Sequence, residues 1–171
     1  TQNGKYRTDT TKNIGEPPHI LDSTLVEISR SQIEKYLHSK GFFKAEVKSD
    51  IKVKNKKAYL TFTAQRGPMF RFRNITYQIA DSAVKNLYEK HRSGFSHLKS
   101  GNRFDMDSLS YEREQVHLLL KNNGYYDYLR QYFRVRVDSN LFSSQADVQL
   151  IIDNPPGKEK HQVYTINNTN T

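Results

Sequence analysis

The apolar positions of this chain change period, and do so twice in the same way. Ile33, Tyr36 and Leu37 recur at helical spacing, and the pattern stops at Gly41. Ala45, Val47, Ile51 and Val53 then alternate with Glu46, Lys48, Asp50 and Lys52. A period near four followed by a period of two predicts a helix with one apolar stripe, then a strand with one buried and one wet face. Ala58, Leu60, Phe62 and Ala64 alternate with Tyr59, Thr61 and Thr63 and predict the returning strand, reached through a lysine-rich connection that holds Asn55.

The second occurrence runs through Leu109, Val116, Leu119 and Leu120, stops at Gly124, and continues into Phe133, Val135 and Val137 alternating with Arg134 and Arg136. Ala146, Val148, Leu150 and Ile152 predict its returning strand. Gly41 and Gly124 stand 83 residues apart, as do Ile33 and Val116, and Leu37 and Leu120. Each glycine occupies the place where a helix end needs positive φ, and an aromatic pair follows, Phe42-Phe43 and Tyr125-Tyr126. These pairs are expected to anchor the helix end to the sheet. Asp22 or Ser23, and Asp107 or Ser108, are the candidate N-caps. Ser31 and Glu34 also have capping-box spacing, so the first helix is expected to start late or to break.

Before the second helix lie two more elements. Phe70 to Ile79 reads as a strand whose alternation changes phase near Asn74, which predicts a bulge. Asp81 to His91 reads as a helix with Val84, Leu87 and Tyr88 on one face. The second copy is thus β-α-α-β-β, from about Phe70 to Asn154. Pro155 to Lys160 is a connection, and Val163 to Asn168 reads as the opening strand of a third copy. In the first copy, residues 1–13 occupy the place of an opening helix but are rich in Thr, Asn and Asp, poor helix formers. Its opening strand and helix either lie upstream or depart from the pattern. The expected division is 1–66, 67–157 and 158–171. The expected class is α+β: tandem small modules, each a three-stranded mixed sheet covered on one face by two helices.

Composition agrees with small modules. Only 35% of the 171 residues are hydrophobic and 26% are charged, which fits bodies with much surface for their volume. No apolar run approaches a membrane span, and no leader peptide is visible at Thr1. Absence of cysteine removes disulfides, thiolate metal sites and cysteine nucleophiles. The net charge of +9 favours anionic partners without choosing among them.

Taken in order, the β-α-α-β-β pattern, Gly41-Phe42-Phe43-Lys44-Ala45-Glu46-Val47, Gly124-Tyr125-Tyr126-Asp127, Gly101-x-x-Phe104-Asp105 between helices and Tyr164-x-Ile166 resemble the POTRA (polypeptide-transport-associated) module. Tandem POTRA modules precede the outer-membrane barrel in the BamA/TamA family and in two-partner secretion transporters. The resemblance implies a periplasmic stretch of an outer-membrane assembly or translocation protein in a Gram-negative bacterium. Its partners would be unfolded polypeptide clients, neighbouring modules, a C-terminal barrel and accessory assembly proteins. It also points to the strand after each glycine-aromatic signal as an open edge that accepts clients by strand addition. Those stretches are about Ala45–Val53, with Ala45, Val47 and Ile51, and about Tyr128–Val137. The latter holds Tyr128, Gln131, Tyr132, Phe133, Arg134, Val135, Arg136 and Val137.

Other chemistry is sparse. The six histidines show no metal-ligand spacing, and His38 and His117 sit at non-equivalent helix positions, which favours the surface. No nucleophile elbow or phosphate loop is present, and no carboxylates pair on a buried-looking stretch, so neither an enzyme nor a cofactor is expected. Arg134 and Arg136 suit acidic clients or lipid headgroups, or simply a solvated face. Phe70-Arg71-Phe72-Arg73 interleaves rings and charges as a nucleic-acid surface does, but no RNA-binding motif surrounds it. The alternative reading is a basic adaptor for nucleic acid or an anionic membrane surface.

Overall fold

Three aspartates start the three α-helices found among the described residues. The computed structural model describes residues 20–140, 143–165 and 167. Asp22 caps α1 (Ser23–Ser39), Asp81 caps α2 (Ser82–His91) and Asp105 caps α3 (Met106–Asn122). Each accepts the amide two residues on at 2.8–2.9 Å, satisfying a donor that the first helical turn leaves free. The cap of α3 is therefore Asp105 and not Asp107 or Ser108; Asp107 lies in the first turn, where its charge complements the helix dipole. Asp22 and Asp105 are 83 residues apart, the same offset as the glycines.

Helix α1 runs unbroken, with no late start at Ser31. Glu34 is engaged elsewhere: its carboxylate accepts from Arg30 at 2.9 Å and from the Val47 amide at 3.3 Å, tying the helix to the following strand.

Both repeated helices close in the same way. The amide of Phe42 donates to the Leu37 carbonyl at 3.0 Å, and that of Gly41 to His38 at 3.0 Å. Tyr125 to Leu120 and Gly124 to Lys121 repeat the pair at 3.1 and 3.3 Å. This is a Schellman closure, which requires the left-handed backbone that Gly41 (φ 87°) and Gly124 (φ 85°) supply.

After α1 come β1 (Glu46–Lys54) and β2 (Lys57–Gln65), an antiparallel pair turned through Asn55 and Lys56, both at positive φ. Among the described residues this sheet has two strands beside one helix. Residues 1–13 lie outside those described. The alternation of β1 accordingly does not become burial throughout. Ala45 and Val47 are buried beside α1, whereas Val53 is 70% exposed and Ile51 and Leu60 are exposed too. Period-two alternation marks a face but not what covers it, and the far half of the hairpin faces the start of α1 only across an open groove lined by Leu21, Leu25, Val53 and Leu60.

The second unit is complete. β3 (Arg71–Ile79), β4 (Phe133–Asn140) and β5 (Gln145–Ile152) form a mixed sheet in the order β3-β5-β4, with β3 parallel and β4 antiparallel to the central strand. The register of β3 slips between Phe72 and Ile75, which is the expected bulge. Asp147 holds it by accepting from the Asn74 amide at 3.1 Å and pairing with the Arg73 guanidinium. Val84 and Tyr88 of α2, and Leu109, Val116 and Leu120 of α3, pack with Phe72, Val148, Leu150 and Ile152 into one core. Residues 161–165 carry no strand, so the opening strand expected from Val163 is absent there, and Ile166 lies outside the described residues.

Candidate functional site

The strand order leaves β4 at a sheet edge. Its register fixes which of its backbone groups are free. The Asp153 amide donates to the Tyr132 carbonyl at 2.9 Å, one residue before Phe133 and Ile152 pair. In an antiparallel ladder bonded pairs alternate with non-bonded pairs. Arg134, Arg136 and Asp138 therefore turn their N–H and C=O groups inward to Ile151, Gln149 and Asp147. Phe133, Val135, Val137 and Ser139 turn theirs outward, where no described strand meets them.

Side chains divide the opposite way. Phe133 is buried, with Val135 and Val137 half-buried against the helices. Arg134 and Arg136 stand on the wet face. Arg134 is held bidentately by Asp153, with Nη2 to Oδ1 at 2.8 Å. This hydrogen bond raises the arginine pKa and lowers that of Asp153. Among the described residues Arg136 reaches Gln149 at 3.5 Å and is the looser cation of the two. Across the sheet, the hydrogen bond from Arg73 holds the Asp147 carboxyl down to about 2.

Four of the expected edge residues lie outside the strands. Tyr128 is 1% exposed, in the core. Gln131 and Tyr132 belong to a 3-10 turn over Arg130–Tyr132 that leads into β4. The apolar-aromatic run from Tyr125 reads as strand by composition, but the Tyr128 amide returns to the Tyr125 carbonyl at 3.1 Å and closes a turn instead. The first unit repeats this bond, Ala45 to Phe42 at 2.9 Å, so Ala45 also precedes its strand. Val47 and Ile51 lie on β1.

A second constellation sits where the units meet. The Gly41 carbonyl accepts the Phe70 amide at 2.8 Å, and the Phe70 carbonyl accepts the Phe104 amide at 2.9 Å. Phe43 packs edge-on against Phe70 and Phe104 with centroids 4.9 and 4.8 Å away. Lys40 closes the joint on Asp105 at 3.1 Å and Asp107 at 2.5 Å, and those hydrogen bonds, Asp107 first, raise its pKa. A Cβ on Gly41 would sit 2.7 Å from the Phe104 carbonyl oxygen. The glycine-aromatic signal thus ends a helix and docks the next unit. Phe42 and Tyr125 are buried as anchors, but Tyr126 is 71% exposed.

Sequence reasoning missed two buried polar groups. Glu112 is 0% exposed on α3 and accepts the Tyr88 phenol at 2.5 Å. His161, from the connection, is buried: its amide donates to Asp81 at 2.8 Å and its ring lies beside Tyr128. The polar i, i+3 position of Glu112 relative to Leu109 was the only signal for the first. His117 is half-buried rather than on the surface, its ring 6.0 Å from Tyr128, and burial lowers its pKa. Among the described residues no group of His, Asp or Glu has the arrangement of a metal site. No helix among them is long and apolar enough to cross a membrane.

Residues 9–67 match the POTRA family model described as "Surface antigen variable number repeat". No curated protein matches the chain. Among solved structures, POTRA modules 3–5 of BamA from Haemophilus influenzae share 16% identity at a TM-score of 0.52, covering 74% of this chain and 49% of that one. BamA from Haemophilus ducreyi lacking POTRA domains 1–3 gives 16%, 0.46, 81% and 25%. POTRA modules 1–3 of the periplasmic domain of Omp85 from Anabaena give 13%, 0.37, 80% and 53%. The chain thus spans about half the length of the first of these and a quarter of the second. Residues 9–67 thus match the POTRA family by sequence, and the fold of the chain resembles that of the BamA modules.

Proposed function

We propose that this chain is a periplasmic scaffold of an outer-membrane protein assembly or translocation factor, and that β4 receives extended client chains by strand addition. The observation that carries the reading is the outward set of N–H and C=O groups at Phe133, Val135, Val137 and Ser139. Backbone bonding is indifferent to client side chains, as a receptor for many unfolded barrels requires. Half-buried Val135 and Val137 offer apolar contact beside the edge, and the arginines limit indiscriminate edge pairing. Neighbouring modules, a C-terminal barrel outside this stretch and accessory assembly proteins complete the machine that the POTRA fold serves.

The test is a pair of prolines. Val135→Pro removes an outward donor and leaves the ladder to β5 intact. Arg136→Pro removes an inward one. Val135→Pro is expected to keep the fold and to lose crosslinking to an unfolded barrel peptide, whereas Arg136→Pro loses both. Unchanged crosslinking to Val135→Pro would overturn the reading.

A further inference from the structure

The junction between the two units is present a second time, half built. At Gly124 the carbonyl accepts the Tyr164 amide at 2.8 Å, the same bond at the same length as Gly41 to Phe70. Tyr126 stands where Phe43 stands, and its ring meets Tyr164 edge-on at 77°, as Phe43 meets Phe70 at 73°. A Cβ on Gly124 would lie 2.8 Å from the Tyr164 carbonyl oxygen, so this glycine too is hemmed by the segment that follows. Lys121 holds the Tyr126 ring from one side, 4.9 Å from its centroid.

One part is missing. In the first joint the ring of Phe43 is covered by Phe104, which comes from the turn between α2 and α3. No described residue plays that part for Tyr126, and the ring remains 71% exposed. We propose that Gly124, Tyr126 and Tyr164 are the open half of a second inter-module joint, and that its other half is the inter-helix turn of a further module continuing this chain. The occupant is an aromatic residue of that turn, lying about as far beyond Tyr164 as Phe104 lies beyond Phe70. The joint differs from the first in one respect. Asn123 stands where Lys40 stands and donates back to the Leu119 carbonyl at 2.8 Å, so no lysine clamps the incoming cap. Aromatic contact alone seats it. The inference rests on the module fold and not on client binding at β4.

A photo-reactive p-benzoylphenylalanine in place of Tyr126, in the full-length protein, tests it. The expected product is an adduct within one chain, mapped by mass spectrometry to an inter-helix turn at that spacing. An adduct to a client, to an accessory protein, to a second copy or to residues before Tyr164 would overturn the proposal, as would no adduct. Tyr126→Ala supplies an independent measurement. It is expected to speed amide exchange several-fold in that downstream turn and to leave β5 protected. Unchanged exchange in the turn counts against the proposal.

Discussion

The phenol of Tyr88 on α2 donates a 2.5 Å hydrogen bond to Glu112 on α3, inside a core from which both side chains exclude water. Among the described residues the second carboxylate oxygen of Glu112 has no hydrogen-bond partner. Breaking such a pair from one side leaves a buried polar group unmet, while removing both sides does not. Tyr88→Phe is expected to cost about 2 kcal/mol or more. The double variant Tyr88→Phe/Glu112→Met is expected to recover most of the loss. Urea unfolding of the single and double variants measures the coupling; additive losses would refute it.

Alkaline pH should unfold the protein through the same region. Burial, then the bond to Glu112, raises the Tyr88 pKa, and burial raises that of Tyr128. A folded pKa above the unfolded one, about 10 for tyrosine, stabilises fully below that value. Above it the unfolded chain ionises and the folded one does not, so stability falls as pH rises. The phenolate absorbance of these two residues is expected to appear only together with loss of near-ultraviolet circular dichroism.

Gly41→Ala should loosen the inter-module joint. The residue needs φ of 87° and its Cβ would press on the Phe104 carbonyl. A loss of about 2 kcal/mol is expected from the backbone conformation and the clash together. Amide exchange at Phe70 and Phe104 should rise, because both bonds of that chain depend on the approach of Gly41.

Lys56→Gly should stabilise the first hairpin. Lys56 sits at φ 58° in a two-residue turn, a conformation that costs a side-chain-bearing residue about 1 kcal/mol and glycine almost nothing. A rise in melting temperature of the β1–β2 region is the readout.

Asp81→Ala should act at two distant points. Asp81 caps α2 and also accepts the His161 amide at 2.8 Å. Loss of the cap is expected to cost about 1 kcal/mol. Faster exchange at His161 would show that the connection after Pro156 has come away.

The repeat was readable because it is local. Asp22, Leu37, Gly41 and Phe42 reappear at one offset as Asp105, Leu120, Gly124 and Tyr125, in residue kind or character, and each shapes the backbone within a few residues of itself. The bulge near Asn74 announced itself as a change of phase for the same reason. Several acids and serines compete near the start of α3, and the cap falls to Asp105 rather than to Asp107 or Ser108. The edge strand begins at Phe133 and not at Tyr128, because Tyr128 and Tyr132 carry strand-like composition while turns claim their backbone.

The sequence by itself determined where helices end, which faces are apolar and that one helix-to-hairpin pattern occurs twice, since period, caps and positive-φ glycines are written in neighbouring residues. Only the tertiary structure decided that β5 lies between β3 and β4, that Val135 rather than Arg136 offers its backbone outward, and that Gly41 meets Phe104 across 63 positions. Those facts depend on pairings between distant segments, which no local pattern encodes.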